Sequence, residues 1–486
     1  MRANQAGRRG NRDMTSTNVI QTNHPVDVVV MAAGKGTRMK SRLPKVLHKL
    51  AGRSLLQHVL DTAAALQARR VVVITGHEAQ QVEANVSLAG TDLHFVRQEP
   101  QLGTGHAMQQ AAPALPEDGM VVVLSGDVPL IQAETLRALL AIGGADKLAL
   151  LTIALADPTG YGRVIRQAGA ADGAVQAIVE QKDATPDQRQ IREIYSGIMA
   201  VPSRLLKPWL SRLDNKNAQA EYYLTDVVKM AVADGVPVLA HRIEDALQVA
   251  GINSPAQLAE LERAHQLRLA QSLMAQGVRL ADPARLDVRG ELHCAQDVEI
   301  DVNCIFEGRV ELGEGVKVGA HCVIGNARIA AGAVIQPFTR IEGEALGVEV
   351  GADARIGPFA RLRPGARLGP DVHIGNFVEV KNAELAQGAK ANHLAYIGDA
   401  TVGERVNYGA GSITANYDGA NKHKTHIGDD VHIGSNCLLV APVRIGAGGT
   451  VGGGSVITQD TEPGVLTLAR ARQVTIANWQ RPQKKK

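Results

Sequence analysis

The chain has 486 residues, 52 basic and 49 acidic, for a net charge of +3. Aromatic residues make up only 3%, whereas 50 residues are glycine and 45% are apolar. Such a length predicts two or three domains. The balanced charge and the lack of aromatic stacking platforms argue against a nucleic-acid binder, and no apolar run approaches the ~18 residues of a membrane span. With few large rings to fill a core, small and β-branched residues must do the packing, which suits a repetitive architecture.

Residues 1–24 are polar and lack the apolar segment of a signal peptide. They read as an unstructured tail, with Met14 as an alternative start. Compact apolar runs at Val26–Met31, Val71–Ile74, Met120–Leu124 and Leu148–Leu155 end in Gly, Asp or Pro, the pattern of buried parallel strands. A shorter strand is expected at His94–Arg97. Between the first two runs, Leu55, Leu56, Val59 and Leu60 fall at helical spacing. Alternating strands and helices define an α/β domain with a mostly parallel sheet, whose ligand crevice lies beyond the carboxyl ends of its strands. Residues 254–276 lack internal glycine and are rich in good helix formers, which predicts one long connecting helix after a Ser-Pro start.

Beyond residue 281 the period becomes six. Aliphatic residues recur at Leu312, Val318 and Ile324, then at Val350, Ile356, Leu362, Leu368, Ile374 and Val380, and again at Ile427, Ile433, Leu439, Ile445, Val451 and Ile457. Hexapeptide repeats predict a parallel β-helix in which each flat side points one aliphatic residue inward. The phase breaks between Tyr408 and Ile427, so a polar loop carrying Asn416, Tyr417, Lys422 and Lys424 leaves the coil there, either as a solvated excursion or as a lid over a groove between neighbouring solenoids. The four cysteines show no metal-type spacing and read as buried thiols in a reducing, cytoplasmic compartment.

Three strand ends carry the chemistry of the first half. After Met31 comes Ala32-Ala33-Gly34-Lys35-Gly36-Thr37-Arg38-Met39, a glycine-rich turn able to present N–H groups to phosphate. It is neither a dinucleotide fingerprint, because Met39 stands at the third glycine, nor an ATPase loop, because no Gly-Lys-Ser/Thr follows. Arg38 and Lys45 add cations that would offset a triphosphate. Gln98 and the Gly103-Thr104-Gly105-His106 turn offer contacts for a base edge, with His106 read as a helix-start residue. Ser125-Gly126-Asp127 ends a third strand and puts a carboxylate where a metal ion could be held.

In this order, AAGKGTRM, LPKVLH, QLGTGHA, GDVP, GYGR, EQKDA and EYYLTD resemble the sugar-phosphate nucleotidyltransferase superfamily. With the repeats and GPFARLRPGA, NFVEVKN, NYDGANKHKT and VAPV, the chain from about residue 26 to 486 resembles the bifunctional N-acetylglucosamine-1-phosphate uridyltransferase/glucosamine-1-phosphate N-acetyltransferases. The resemblance implies a tail (1–24), a Rossmann-like uridyltransferase domain (25–253), a helical linker (254–280) and a left-handed β-helix acetyltransferase domain (281–486) that forms a homotrimer. It implies that Met31, Ala32, Ala33, Gly34, Lys45, Ser125 and Gly126 line the nucleotide site and that Gln98, Gly103 and Thr104 read uracil. By the same resemblance Gly162, Glu180, Tyr195 and Asn253 face the sugar nucleotide, and Asp127 and Asn253 hold Mg2+. In the second domain it implies His393 as proton acceptor, Arg363, Lys381, Tyr396 and Asn407 as sugar-phosphate ligands, and Ala410, Asn416, Tyr417, Ser435, Gly453 and Arg470 on acetyl-CoA. Three positions depart from the family pattern: Tyr195 replaces the common Asn, Ser125 a Tyr, and Gly453 an Ala.

The expected reactions are acetylation of glucosamine 1-phosphate by acetyl-CoA, then transfer of UMP from UTP to N-acetylglucosamine 1-phosphate. The rival readings are a nucleotidyltransferase whose solenoid only assembles the trimer, a metal-dependent β-helix hydratase using His373, His393, His423, His426 and His432, and a non-enzymatic scaffold. Arg470, Arg472 and the final Lys484 to Lys486 could pair with coenzyme A phosphates, with the last three lysines read instead as a solvated charged end.

Overall fold

The computed structural model describes residues 24–167 and 173–484. The expectation for the tail falls outside them apart from His24, as do Lys485 and Lys486. The described chain divides into two compact units, one comprising residues up to Leu50 and Ser54–Leu261, the other Ala51–Arg53 and Glu262 onward.

The first unit is built on β1 (Val26–Met31), β2 (Arg70–Thr75), β3 (Asp92–Arg97), β4 (Met120–Ser125), β5 (Leu148–Ala154), β6 (Glu193–Pro202) and β7 (Val238–Ile243). Their order across the sheet is β7-β5-β6-β4-β1-β2-β3. All neighbours are parallel except β6, which runs antiparallel to both β4 and β5. A side hairpin, Arg163–Arg166 with Val175–Val179, joins at β6. Alternation along β1 explains its unbroken run of valines: Val28 and Val30 pack with Leu56, Val59 and Leu60 on one face, and Val29 with Met108 and Trp209 on the other. Helices cover both faces, so both must be apolar. Helix Leu55–Ala65 starts where Ser54 accepts a hydrogen bond from the Gln57 N–H at 3.2 Å. The turns that follow β1, β3 and β4 all leave the same edge of the sheet.

Helix Pro255–Ala275 follows. Its Gln266, 1% exposed, satisfies both of its polar ends on the backbone of Val288 at 2.8 Å. The second unit is a near-closed parallel β-helix. One face is an eleven-stranded ladder. The other two belong to a sixteen-stranded sheet that bends at Val323–Ile329, which pairs with Arg340–Glu342 and with Val348–Val350. Every aliphatic position of the three six-residue runs is at most 4% exposed. Ile356 pairs with Ile374, eighteen residues on, which is three sides of six. Tyr408 pairs with Ile433, twenty-five residues on, and the added residues form the loop that the phase break marks.

Cys304, Cys322 and Cys437 are buried, whereas Cys294 is only partly so; all four are free thiols. Burial pushes the Cys294 thiol up to about 12, which keeps it un-ionised at neutral pH. At one corner of the solenoid His321, Phe338, Phe359 and Phe377 stack in successive coils with ring centroids 4.9 to 5.4 Å apart. The three phenylalanines are 47 to 57% exposed, and Leu394 extends the column.

Candidate active sites

The turn after β1 and the loops after β3 and β4 enclose a cavity of about 490 Å³. Met31, Ala32, Ala33, Gly34, Lys45, Gln98, Gly103, Thr104, Ser125 and Asp127 all line it. Gly126 lies just behind, its N–H donating to the Met31 carbonyl at 2.9 Å. Glycine is required twice. At Gly36 (φ +58°) a Cβ would come within 2.6 Å of the Lys45 Cβ, and at Gly103 (φ +106°) within 2.6 Å of the Tyr222 carbonyl oxygen. The first close approach sets the path of the Lys45 side chain past the loop. Arg38 is exposed and does not line the cavity, so only one of the two expected cations reaches it.

Lys45 Nζ donates to Asp127 Oδ2 at 2.6 Å and to Asn253 Oδ1 at 3.1 Å. The Ile252 N–H binds the Asp127 carbonyl at 3.0 Å, which delivers Asn253 to this point from a remote stretch of chain. Two oxygens thus converge on one cationic nitrogen, and a hard cation favours such a donor pair. No group of three or more His, Cys, Asp or Glu able to hold a metal occurs among the described residues. Any divalent ion here would therefore draw its remaining ligands from water or from phosphate oxygens.

Gln98 donates to the Gly103 carbonyl at 2.9 Å and meets His106 Nδ1 at 3.3 Å, while His106 sits in helix Thr104–Ala111. The Thr104 hydroxyl accepts the Leu224 N–H at 3.1 Å. Gln101, quoted with its motif but not singled out, binds the Ala33 carbonyl at 2.6 Å and ties the two loops together. Lys35 and Glu221, which stand in AAGKGTRM and EYYLTD with no role assigned, also line the cavity; lone charges in a loop carry no periodic signal.

Gly162, Glu180 and Tyr195 form a separate cluster outside that lining. The Tyr195 N–H binds the Gly162 carbonyl at 2.9 Å, and Glu180 accepts the Thr225 hydroxyl at 2.9 Å. Burial lifts the Glu180 carboxyl above the ordinary glutamate range, partly opposed by the Thr225 bond. Tyr195 is 7% exposed, within the apolar core, and its hydroxyl has no hydrogen-bond partner among the described residues.

In the second unit, His393, Ala410, Ser435 and Gly453 occupy matching places in successive coils, as the bonds from Gly411 to Leu394, Asn436 to Ala410 and Gly454 to Ser435 show. Arg470 closes the column, donating to the Gly453 carbonyl at 2.7 Å. His393 is exposed, with Nδ1 2.9 Å from Asn376 Oδ1. An amide oxygen only accepts, so this contact is a hydrogen bond when Nδ1 carries the proton, the tautomer that leaves the Nε2 lone pair open. Asn376 lies within a quoted motif, but its bond to His393 arises only when coils stack.

Arg363 pairs with Glu379 at 2.8 Å, and Glu379 lies in register with Tyr396. The neighbouring Lys422 ammonium, then burial, holds Lys381 below the ordinary lysine range. Asp399 accepts from both Asn382 and Asn416, fixing the root of the 416–424 loop. Within the loop Tyr417 bridges Lys422, and Asp418 is held well below the usual carboxylate range by the N–H groups of Asn421 and Ala420 and by His423. Asn407 stands on the eleven-stranded face between Lys390 and His432, apart from Arg363 and Lys381 on the sixteen-stranded sheet. The expected sugar-phosphate set is therefore not gathered within one chain.

A mixed sheet with a loop cavity at its strand ends, followed by a six-residue solenoid with His393 exposed at one corner, is the build of a two-part transferase. The MobA-like NTP transferase domain family matches residues 28–190, and the bacterial transferase hexapeptide family matches residues 347–382 and 424–459. The gap between the latter two contains the phase break. The chain is 74% identical over 468 residues to the Bifunctional protein GlmU of Albidiferax ferrireducens, covering 94% of this chain and 100% of that relative. It is 66% identical to the Bifunctional protein GlmU of Methylibium petroleiphilum over 95% of this chain and 100% of that one. Identity to that of Aromatoleum aromaticum is 55%, over 95% and 99%. The chain belongs to the bifunctional GlmU family, and it is a bifunctional enzyme with a nucleotidyltransferase half and a hexapeptide-repeat acetyltransferase half. No helix among the described residues is long and apolar enough to cross a membrane.

Proposed function

We propose that the chain catalyses two successive steps toward UDP-N-acetylglucosamine in the cytoplasm. Glucosamine 1-phosphate is acetylated by acetyl-CoA in the domain from residue 281, and the product then receives UMP from UTP in the domain spanning residues 25–253. The observation that carries this reading is the convergence of Asp127 and Asn253 on Lys45, which lines the glycine-loop cavity together with Asp127.

In the uridylyl step a phosphate oxygen of the sugar attacks the α-phosphorus of UTP, and pyrophosphate leaves. This chemistry needs positioning and charge neutralisation, not a protein nucleophile. Ala32, Ala33 and Gly34 present the loop to the nucleotide, and Lys45 meets phosphate. Gln98, Gly103 and Thr104 read the base, while Gly162 and Glu180 stand toward the sugar, with the Tyr195 backbone holding Gly162 from the core side. Mg2+, held by Asp127 and Asn253, would supply further neutralisation of phosphate charge. In the acetyl step the amine attacks the thioester carbonyl, His393 Nε2 takes the amine proton, and the coenzyme A thiolate leaves. Arg363, Lys381 and Lys422 meet the sugar phosphate, with Tyr396 beside them. Ala410, Asn416, Tyr417, Ser435, Gly453 and Arg470 line the coenzyme side.

The solenoid assembles as a homotrimer. Support comes from the exposed Phe338–Phe359–Phe377 ladder, an apolar strip of the kind that marks an interface. It runs up to Leu394, next to His393, so a neighbouring copy seated on it would flank the base.

A paired assay tests the reading. Free thiol is followed with glucosamine 1-phosphate and acetyl-CoA, then pyrophosphate after UTP and Mg2+ are added. Thiol release followed by pyrophosphate is expected. Pyrophosphate only when N-acetylglucosamine 1-phosphate is supplied ready-made would reduce the solenoid to an assembly device.

A further inference from the structure

The Lys45 ammonium occupies the point at which Asp127 Oδ2 and Asn253 Oδ1 converge, 2.6 and 3.1 Å away. The side chains of Lys45 and Asp127 are only 13% and 19% exposed. A carboxylate so poorly hydrated is costly without a cation, and Lys45 supplies one from within the chain. Two cations cannot share this oxygen pair without strong repulsion. We propose that Lys45 is a resident counter-cation of the divalent-ion seat, which the ion must displace, and that displacement turns the ammonium toward the anionic ligand of the Gly34 loop. This rests on the reading of Asp127 and Asn253 as metal ligands.

The surroundings suit such an exchange. The root of Lys45 is fixed by the turn Lys45–Leu47 and by the close approach of its Cβ to Gly36. Only the outer methylenes are free to swing, and Lys45 lines the same cavity as Gly34. An ammonium moving a few ångströms between a carboxylate and a phosphate keeps a partner at both ends of its path. The seat therefore holds a cation whether or not metal is bound, and Lys45 becomes available to phosphate as the metal arrives. One consequence has a sign opposite to that expected of a lysine that merely supports the site: its removal strengthens metal binding when no nucleotide is present.

The test is Mn2+ binding to the full chain without nucleotide, measured by calorimetry or by the free Mn2+ electron paramagnetic resonance signal. Lys45→Met should bind Mn2+ about ten-fold more tightly than wild type, the scale of one charge-assisted hydrogen bond that no longer competes. Equal or weaker affinity overturns the proposal. Asp127→Asn should abolish the binding in both backgrounds; unchanged binding there would place the failure in the metal-site reading itself. A second measurement uses unsubstituted protein with 13C-methylated lysines. Mg2+ alone should shift the Lys45 resonance, identified by its absence from Lys45→Met, and a resonance unmoved at saturating Mg2+ overturns the exchange.

Discussion

The two halves build their sites in contrasting ways. In the first unit the twisted sheet sends three loops off one edge, and they enclose a concave cavity that holds an ion pair already in place. In the second, His393 and the residues stacked with it lie along an exposed corner, in a column running up the solenoid. A globular α/β unit makes a pocket from one chain because its strand ends converge. A solenoid contacts only its own neighbouring coils and offers long, open surfaces. The first site should accordingly tolerate loss of the neighbouring copies, while the second should depend on them.

The sharpest break between the two is made at their proposed chemical centres. Asp127→Ala should lower pyrophosphate release by about 10³-fold, in the range seen when a transition-state charge stabiliser is removed, with thiol release unchanged. His393→Ala should reverse the pattern, with a loss of about 10²- to 10⁴-fold in acetyl transfer. A mutation that removed both activities equally would contradict separate sites.

Next in size is the dependence on assembly. Phe359→Asp places a charge in the middle of the stacked ladder. Sedimentation should show dissociation and thiol release should fall, while uridylyl transfer persists. A fully active monomer would refute a role for neighbouring copies.

A smaller effect concerns Asn376, which orients His393. Asn376→Ala should lower kcat for acetyl transfer about ten-fold, the cost of roughly one hydrogen bond, with little change in KM. Asn376→Asp should restore much of the rate and move the acid limb of the pH profile upward, because a carboxylate favours the imidazolium. A simple packing role would leave that limb where it is.

The smallest effect is on stability. Burial raises the Glu180 carboxyl in the folded state, so the native form binds its proton more tightly than the unfolded form. Stability is then lost as pH rises from the ordinary glutamate range through the raised value. Glu180→Gln should raise Tm at neutral pH, and the gain should vanish in acid, below about pH 4. A gain equal at both pH values would remove the titration as its cause.

Much of the solenoid was legible because a single period governs it: each of the three six-residue runs fixes which side chain points inward, and all of those positions are buried. The stretch between Val380 and Tyr408 was harder to read. Its buried positions fall at Leu385, Ala391, Ile397 and Val402, so sides of five residues, Val380 to Leu385 and Ile397 to Val402, interrupt the six and flank the regular sides that include His393. In the first unit β1, β2 and β4 were evident from unbroken apolar runs. The antiparallel β6 and its side hairpin were not, since strand direction leaves no mark in composition.

The amino-acid sequence by itself determined the two architectures, their change of period, and the loops and strand ends at which the candidate residues stand, because these follow from local spacing and backbone preference. Only the tertiary structure decided which of those residues meet. Lys45, Asp127 and Asn253 converge from distant points of the chain, and Asn376 reaches His393 through the stacking of coils. Asn407 stands apart from Arg363 and Lys381, and Tyr195 turns its hydroxyl into an apolar core. Such meetings depend on how sheets order their strands and how coils register, long-range outcomes of packing that no local spacing encodes.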